Sequence, residues 1–349
     1  MYHVAKNKAK NYLQRSLNFK NKIEPQLKAD LNEMQEDEID LSPGNINDSQ
    51  LQMMFAVCHP SISTEAQIGL SLRILCGFGI EEIATAFLTS KETINKRLFR
   101  AKEKLRDERI SIELPSATEM DERLSTVLTT IYLLFNEGYY SASQNKTIRK
   151  ELCFEAMRLC TMLVENKNTN KPQVNALLSL MCFHASRFEA RINKEGELVL
   201  YEEQDTNLWN ADLISKGGYF LRCAMAGNML SKYHLEAGIA YWNTQKGDTK
   251  EKWENILQYY NRLLQIEYSP VAALNRTFAL SKVYGKEIAI VEAEKLNLES
   301  NHFYFALLGE LYADVDNKKS RQYFIKAVSL AKTIAEKQAM QKKIDKLSN

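Results

Sequence analysis

The sequence predicts an all-α protein, and three observations support this class. Glycine and proline supply only 13 and 6 of the 349 residues, too few turn-forming residues for a sandwich or a doubly wound sheet. Hydrophobic residues make up 45% of the chain, enough for a substantial core, and 26% are charged. From about residue 50 onward, apolar residues recur at helical spacing. At roughly 150 residues per domain, the length suggests two or three domains.

The N-terminal part of the chain divides sharply by charge. Residues 1–28 carry seven Lys and Arg against one acidic residue, whereas residues 29–48 carry seven acidic residues and no basic one. We expect a basic helical segment over residues 1–22 and an acidic linker over 23–49, because few linker residues could offset the entropy of ordering by burial. A second basic block, residues 91–109, has eight basic and four acidic residues. Two basic blocks of this kind indicate a polyanionic partner.

The strongest functional pattern is a predicted helix-turn-helix inside a helical unit that spans residues 50–112. The first helix is predicted over 81–87, with Ile83 and Phe87 facing inward. Thr89 and Glu92 have the spacing of a capping box that would start the second helix. Along that helix apolar residues recur four, three and four positions apart, which predicts a buried stripe. The stripe consists of Ile94, Leu98, Ala101 and Leu105.

The other faces of the second helix carry candidate DNA-binding residues. They are Lys91, Thr93, Asn95, Lys96, Arg97, Phe99, Arg100 and Lys102. In a helix-turn-helix the second helix enters the major groove, where Asn95, Lys96 and Arg100 could discriminate bases. The remaining polar residues are better suited to phosphates. Phe99 fits either a thymine methyl contact or packing against a neighbouring helix. The alternative for the whole region is a helical hairpin whose lysines form an ordinary solvated surface.

The stretch EEIATAF…TINKRLFRAKEKLR resembles domain 4 of sigma-70 family RNA polymerase sigma factors of the small extracytoplasmic-function type. That family has an EIA helix, a turn and then T-V-x-S-R-L-x-R-A-R-x-x-L. The matching residues are Thr93, Ile94, Arg97, Leu98, Arg100, Ala101, Lys102 and Leu105. The sequence departs at Lys91-Glu92, usually a small residue and glycine, and at Lys96, where serine is common. The resemblance implies that residues 91–105 read the −35 promoter element and that this domain contacts core RNA polymerase.

The N-terminal stretch YHVAKNKAKNYLQR is similar to the end of domain 2 in the same family, usually W-L-x-x-V-A-R-N-x-A-x-D-x-x-R-R. The similarity implies contacts with the −10 promoter element by Lys6, Asn7 and Arg15, with Asn11 replacing the usual acidic residue. It also implies that residues 1–22 are a remnant of domain 2, so that the sequence begins inside that domain.

Residues 113–349 are predicted to form a tetratricopeptide-like succession of helices. Small residues alternate with aromatic ones at spacings that let paired helices pack closely, as around LLGELY (307–312). One small β-hairpin is expected near residues 191–200. Several segments resemble landmarks of sigma factors with a long helical extension, which in that subgroup regulates activity. They are CHP (58–60), FNEGYYSAS (135–143), LYEEQDTNLW (200–209), YHLEAGIA (233–240) and SPVAALNR (269–276).

Two of these segments contain polar residues that could form a regulatory or a structural motif. The residues are Asn136, Glu137, Gln204, Asp205 and Trp209. A structural role is favoured, in which Gln204 and Asp205 cap or cross-link helices while Trp209 packs. An acid/base site is disfavoured, because the sequence supplies no nucleophile, metal ligand set or phosphate loop beside them. The resemblance adds the hypothesis that this motif binds a regulatory protein or ligand.

Taken together, these patterns predict a sigma factor for transcription initiation that acts by binding, with no enzymatic activity, cofactor or metal. The expected partners are core RNA polymerase, promoter DNA and an unidentified regulatory partner of the extension. The alternatives are a stand-alone helix-turn-helix regulator and a helical-repeat scaffold. The six cysteines form no CxxC pair, so we expect reduced core thiols. No apolar run approaches 18 residues, which predicts a cytoplasmic protein without a membrane span.

Overall fold

The computed structural model describes residues 43–87, 89–116, 119–139, 150–191, 193, 199, 201–227, 229–331 and 334–347. Within these residues all regular secondary structure is helical and no strand is found, which confirms the predicted all-α class. The basic segment 1–22, with Lys6, Asn7 and Arg15, lies outside the described residues, as does the predicted linker before Pro43.

The chain divides into two compact units. The first comprises the described residues up to Gly138 together with Glu151–Asn170. The second comprises those of Tyr139–Lys150 and of Lys171–Asn349. The first unit therefore continues past residue 112, where the sequence analysis placed the end of the DNA-binding domain.

Six α-helices of the described residues begin in the first unit or end in it. They are α1 (Pro43–Val57), α2 (Thr64–Leu70), α3 (Ile80–Ala86), α4 (Lys91–Asp107), α5 (Met120–Tyr139) and α6 (Lys150–Glu165). A π-helical turn over Ser71–Leu75 continues α2. Helix α1 starts at Pro43, so the last seven residues of the predicted linker 23–49 are helical. Proline is well suited to this position, because the first turn of a helix does not use its missing N–H.

Buried and partly buried hydrogen bonds tie α5 and α6 to the first unit. The side-chain amide of Gln67 donates hydrogen bonds to the carbonyls of His59 (3.0 Å) and Ile62 (3.1 Å). The hydroxyl of Thr130, on α5, donates to the Gln67 amide oxygen at 3.0 Å. Arg158, on α6, donates to a carbonyl of the π-helical turn at 3.1 Å. The bonds from α5 and α6 join residues more than sixty positions apart, so helical periodicity does not indicate them.

The second unit is an array of helices joined by short turns. Its α-helices among the described residues are α7 (Pro172–Ala185), α8 (Ala211–Ala224), α9 (Lys232–Thr244), α10 (Lys250–Ile266), α11 (Pro270–Tyr284), α12 (Lys286–Leu296), α13 (His302–Tyr312), α14 (Asn317–Leu330) and α15 (Ile334–Lys346). From α9 to α15 each helix packs against the next, as expected for helical repeats. Short 3₁₀-helices cover Phe188–Ala190, Tyr201–Glu203 and Thr206–Leu208.

The β-hairpin expected near residues 191–200 falls mostly outside the described residues. Arg191, Asn193 and Val199 are described, and none of the three lies in a strand. The N–H of Val199 donates to the carbonyl of Arg191 at 2.9 Å, so the chain does return on itself at this point.

Helices of the second unit approach closely where a glycine faces an aromatic ring. A Cβ atom built on Gly217 would lie 2.7 Å from the ring of Phe183, and one on Gly238 would lie 2.7 Å from that of Tyr259. At Gly309 the corresponding distance to Phe324 is 2.9 Å. Real Cβ atoms essentially never approach other atoms so closely, so a side chain at any of these positions would force the ring or the helix to shift. The predicted alternation of small and aromatic residues is confirmed at these places.

All six cysteines are free thiols, and only Cys223 is not fully buried. Burial raises the pKa of Cys58 to about 11 and the pKa of Cys182 to about 12. Both thiols are therefore protonated at neutral pH, as expected for core residues. In the described part of the chain, no helix is both long and apolar enough to cross a membrane.

Two adjacent glycines of α8 provide a test of the close packing. We expect Gly217→Ala to destabilise the protein, because the new methyl group would lie 2.7 Å from the ring of Phe183, which is 1% exposed and packed in the core. Overpacking costs about 1–3 kcal/mol and outweighs the gain of about 1 kcal/mol in helix propensity. In Gly218→Ala the new Cβ has its nearest neighbour at 3.7 Å, so there is no steric cost. The gain in helix propensity should leave the stability of this variant unchanged or higher. Urea unfolding of both variants measures the difference, and equal midpoints would contradict this account.

Candidate nucleic-acid interface

Helices α3 and α4 form the predicted helix-turn-helix, but the turn differs in detail. The residue that caps α4 is Ser90, whose backbone is extended and whose hydroxyl accepts the N–H of Thr93 at 3.2 Å. The predicted cap, Thr89, is wrong, because its own N–H donates to the carbonyl of Ala84 at 3.0 Å and thereby closes the end of α3. A hydroxyl residue followed three positions later by a polar residue occurs at both registers, so local spacing alone could not choose between them.

Phe87 lies after the end of α3 rather than inside it. The first helix ends at Ala86, one residue before the predicted boundary, and Phe87 is half-buried in the turn. The guanidinium of Arg97 lies 5.5 Å from the centre of its ring. This cation–π contact joins the turn to α4 and fixes the direction of the Arg97 side chain.

The buried stripe of α4 is confirmed at three of its four positions. Ile94, Leu98 and Ala101 are buried, whereas Leu105 is half-buried near the end of the helix. Helix α4 crosses α2 at Gly69, where a Cβ atom would lie 3.0 Å from the side chain of Leu98. The stripe therefore holds α4 against α2 and directs its remaining faces to solvent.

All eight predicted DNA-binding residues are on α4, and all but Arg97 are exposed. Phe99 is 62% exposed, so most of its surface is not covered by a neighbouring helix. Lys91 forms an ion pair with Glu81 of α3. An exposed aromatic ring among cationic and amide side chains is suited to contact with bases.

A groove of about 460 Å³ lies along one side of α4. Its wall on α4 consists of Thr93, Lys96, Arg97, Arg100, Ala101 and Lys104, and its other wall consists of Ser61, Ile62, Ser63 and Ala66. Four of these side chains are cationic and none is a carboxylate. A groove lined by four cations and by serine and threonine hydroxyls can hold phosphate oxygens.

The structure brings only some of the predicted residues together in this groove. Thr93, Lys96, Arg97 and Arg100 line it, since positions i, i+3, i+4 and i+7 share one face of a helix. The others, Lys91, Asn95, Phe99 and Lys102, do not line it. Lys104 was missed in the sequence, although its spacing of four from Arg100 continues the same face. Ser61 and Ser63 were missed because only the tertiary fold places them opposite α4.

Hydrogen bonds between residues close in sequence hold the serine wall of the groove, Ser61 and Ser63, in place. Ser63 caps α2, and its hydroxyl accepts the N–H of Ala66 at 3.4 Å. The hydroxyl of Ser61 lies 2.9 Å from Nδ1 of His59, and Gln67 holds the His59 carbonyl. This arrangement gives the CHP segment (58–60) a structural role in shaping the groove.

One carboxylate follows the serine wall along α2. Hydrogen bonds from its own backbone N–H and from the hydroxyl of Ser63 lower the pKa of Glu65, with a smaller contribution from Arg97. Glu65 is therefore ionised at neutral pH.

Gln204, Asp205 and Trp209 lie together in the second unit, where they have structural contacts. The amide oxygen of Gln204, which is buried, accepts a hydrogen bond from Arg187 at 3.0 Å. Asp205 caps the short 3₁₀-helix Thr206–Leu208 by accepting the N–H of Asn207 at 2.9 Å. The ring of Trp209 stacks beside that of Tyr201 with centroids 6.4 Å apart. These contacts are those of the favoured structural interpretation.

Tyr201 connects this loop to the turn between α9 and α10. Its ring lies 4.6 Å from the guanidinium of Arg187 and 5.2 Å from the ammonium of Lys252. Lys252 is 3% exposed, and it donates hydrogen bonds to the Tyr201 hydroxyl at 2.8 Å and to the carbonyls of Gln245 and Gly247. Amide, carbonyl, hydroxyl and aromatic groups therefore satisfy two buried cations. Sequence spacing does not indicate this network, because its members lie far apart along the chain.

Asn136 and Glu137 do not belong to this cluster. They lie in the last turn of α5, in the first compact unit, and both are half-buried. Among the described residues, no group of three or more His, Cys, Asp and Glu side chains could hold a metal ion.

Comparison with known proteins finds a matching family model over part of this chain and a relative over most of it. Residues 123–225 match a family described as a family of unknown function, DUF6596. Over 328 residues the chain is 32% identical to an uncharacterized protein of Rhizobium meliloti (strain 1021), in an alignment covering 93% of this chain and 77% of the relative. The chain belongs to the same family as that protein. No solved structure matches the chain.

Replacing the buried amide of Gln204 tests its structural role. We expect Gln204→Ala to reduce the free energy of unfolding by about 1–3 kcal/mol, because the Nε–H of Arg187 loses its buried amide acceptor. Asn207→Ala in the same loop is the matched control and should change stability by less than about 0.5 kcal/mol, because Asn207 is exposed. Thermal unfolding measures the stability of both variants, and a Gln204→Ala protein as stable as the control would contradict the structural role of this side chain.

The groove on α4 is tested by removing two of its cations. We expect Lys96→Ala with Arg100→Ala to weaken binding to duplex DNA and to reduce the slope of log K against log salt by up to about 1.8, or about 0.9 for each phosphate that the protein no longer neutralises. The control pair is Lys216→Ala with Arg222→Ala, which removes the same charges from exposed positions of α8. Fluorescence anisotropy at several salt concentrations gives both quantities. Unchanged affinity and slope would exclude α4 as a DNA-binding helix.

Proposed function

We propose that this protein is a transcription initiation factor of the sigma-70 type, which binds core RNA polymerase and reads the −35 promoter element through α4. The observation that carries the proposal is the helix-turn-helix whose second helix presents a groove with four cations and no carboxylate. The resemblance of residues 81–106 to domain 4 of that family supports the same function. The relative from Rhizobium meliloti is uncharacterized and adds nothing for or against it.

The residues of α4 have separate roles in this proposal. Asn95 and Phe99 are exposed outside the groove and face bases, each good contact contributing roughly 1–3 kcal/mol of discrimination. Lys96 and Arg100 line the groove and are also exposed, so they can reach either bases or phosphates. Arg97 and Lys104 hold phosphates and position the helix without reading sequence.

The second unit has a regulatory role in this proposal. It is a helical-repeat array, an architecture that presents extended surfaces to protein or peptide partners. The protein acts by binding, without an enzymatic reaction or a cofactor, and works in the cytoplasm, where its polymerase partner is.

The decisive experiment is co-purification of the full chain with bacterial core RNA polymerase, followed by footprinting on candidate promoters. We expect a stable complex with the polymerase and protection near −35. The variant with Lys96→Ala and Arg100→Ala should keep the polymerase and lose the protection, because only the DNA-binding surface is changed.

Two other outcomes would overturn the proposal. Specific DNA binding by the free chain without any polymerase complex would identify a stand-alone helix-turn-helix regulator. Absence of both DNA and polymerase binding would identify a helical-repeat scaffold.

A further inference from the structure

The sign of the charge changes abruptly at the C-terminal end of the helical array. Residues 286–316, which include α12 and α13, carry two basic and seven acidic residues. Residues 317–349, which include α14 and α15, carry nine basic and two acidic residues. The basic excess of the whole chain, a formal charge of +2, therefore depends on its last two helices.

The packing of α14 and α15 directs these cations to solvent. On α14 the buried face consists of Ser320, Phe324 and Ala327, and the Ser320 hydroxyl donates to the carbonyl of Gly309 at 2.7 Å. On α15 the buried residues are Met340 and Ile344. The exposed basic residues are Lys318, Lys319, Arg321 and Lys326 on α14 and Lys337, Lys342 and Lys346 on α15.

Only part of this positive charge is compensated locally. Lys343 pairs with Glu310 at 3.1 Å, and Lys326 lies 4.4 Å from the centre of the Phe305 ring. In the part of the chain that the structure describes, no carboxylate lies within ion-pair distance of four exposed cations. They are Lys318, Arg321, Lys337 and Lys346.

The last repeat of a helical array needs a polar outer face, but charge of either sign would meet that need. An excess of one sign instead concentrates counterions and attracts a polyanion. We propose that α14 and α15 form a second DNA-binding surface, which holds the phosphate backbone of duplex DNA without reading its sequence. Exposed amides among the cations, Gln322 and Gln338, add hydrogen-bond donors of the kind that contact DNA backbones, and duplex DNA is the polyanion that the proposed function brings to this protein.

This surface goes beyond the proposed function, because it lies in the second compact unit and does not involve α4. A DNA-binding array would add affinity for any duplex and leave promoter choice to the helix-turn-helix. Its contribution is electrostatic, so it must appear in the salt dependence of binding.

The test uses the full chain and a duplex of random sequence, with affinity measured by fluorescence anisotropy from about 50 to 200 mM salt. The test variant changes Lys318, Arg321, Lys337 and Lys346 to glutamine. The control changes Lys167, Lys216, Arg222 and Lys246 to glutamine. It removes an equal number of charges, three lysines and one arginine, from exposed positions elsewhere in the chain. Circular dichroism verifies that both variants keep their helical content.

We expect the test variant to bind at least about tenfold more weakly and its salt slope to fall by about 0.9 for each phosphate that it no longer neutralises, whereas the control stays close to the unchanged protein. Equal behaviour of the two variants would overturn the inference. The variant with Lys96→Ala and Arg100→Ala, measured alongside, separates this inference from the proposed function, since each surface can fail while the other still contributes.

Discussion

Within each compact unit, helices approach one another closely where a glycine lies beneath a large side chain of a neighbouring helix. In the first unit Gly69 of α2 lies under Leu98, and this contact sets the position of α4. In the second unit Gly217, Gly238 and Gly309 lie under aromatic rings. Because a Cβ at these places would crowd or overlap its neighbour, the distances between helices, and with them the groove and the outer faces, depend on the absence of one carbon atom.

The buried cations have protein groups as partners, whereas most of the surface cations remain exposed to solvent. Arg187 and Lys252 are buried, and hydrogen bonds to amide, carbonyl and hydroxyl oxygens together with aromatic rings replace their hydration. Such groups are costly to leave unpaired, so they hold the 201–209 loop on the array. The cations of α4 and of the last two helices are mostly exposed, and they are available to a partner.

Much of the candidate site could be predicted from sequence because its determinants are local. The stripe of Ile94, Leu98 and Ala101 follows from helical spacing, and the polar residues of α4 must then face solvent. The structural contacts of Gln204 and Asp205 were also expected, since polar side chains next to a helix start act as caps or cross-links. The promoter and polymerase contacts inferred from the resemblance remain predictions, because they depend on partners.

The sequence by itself determined the all-α class, the helix-turn-helix, the alternation of small and aromatic residues and the free thiols, since each follows from composition or from spacing within one or two helical turns. Only the tertiary structure decided that α5 and α6 join the first unit, that Ser61 and Ser63 face α4, and that Tyr201 lies between two buried cations. The choice of Ser90 rather than Thr89 as the cap of α4 also depends on the tertiary structure, because the N–H of Thr89 is bonded to α3. In each of these cases the residue's partner lies in another element, and no local pattern specifies which element the fold will bring near.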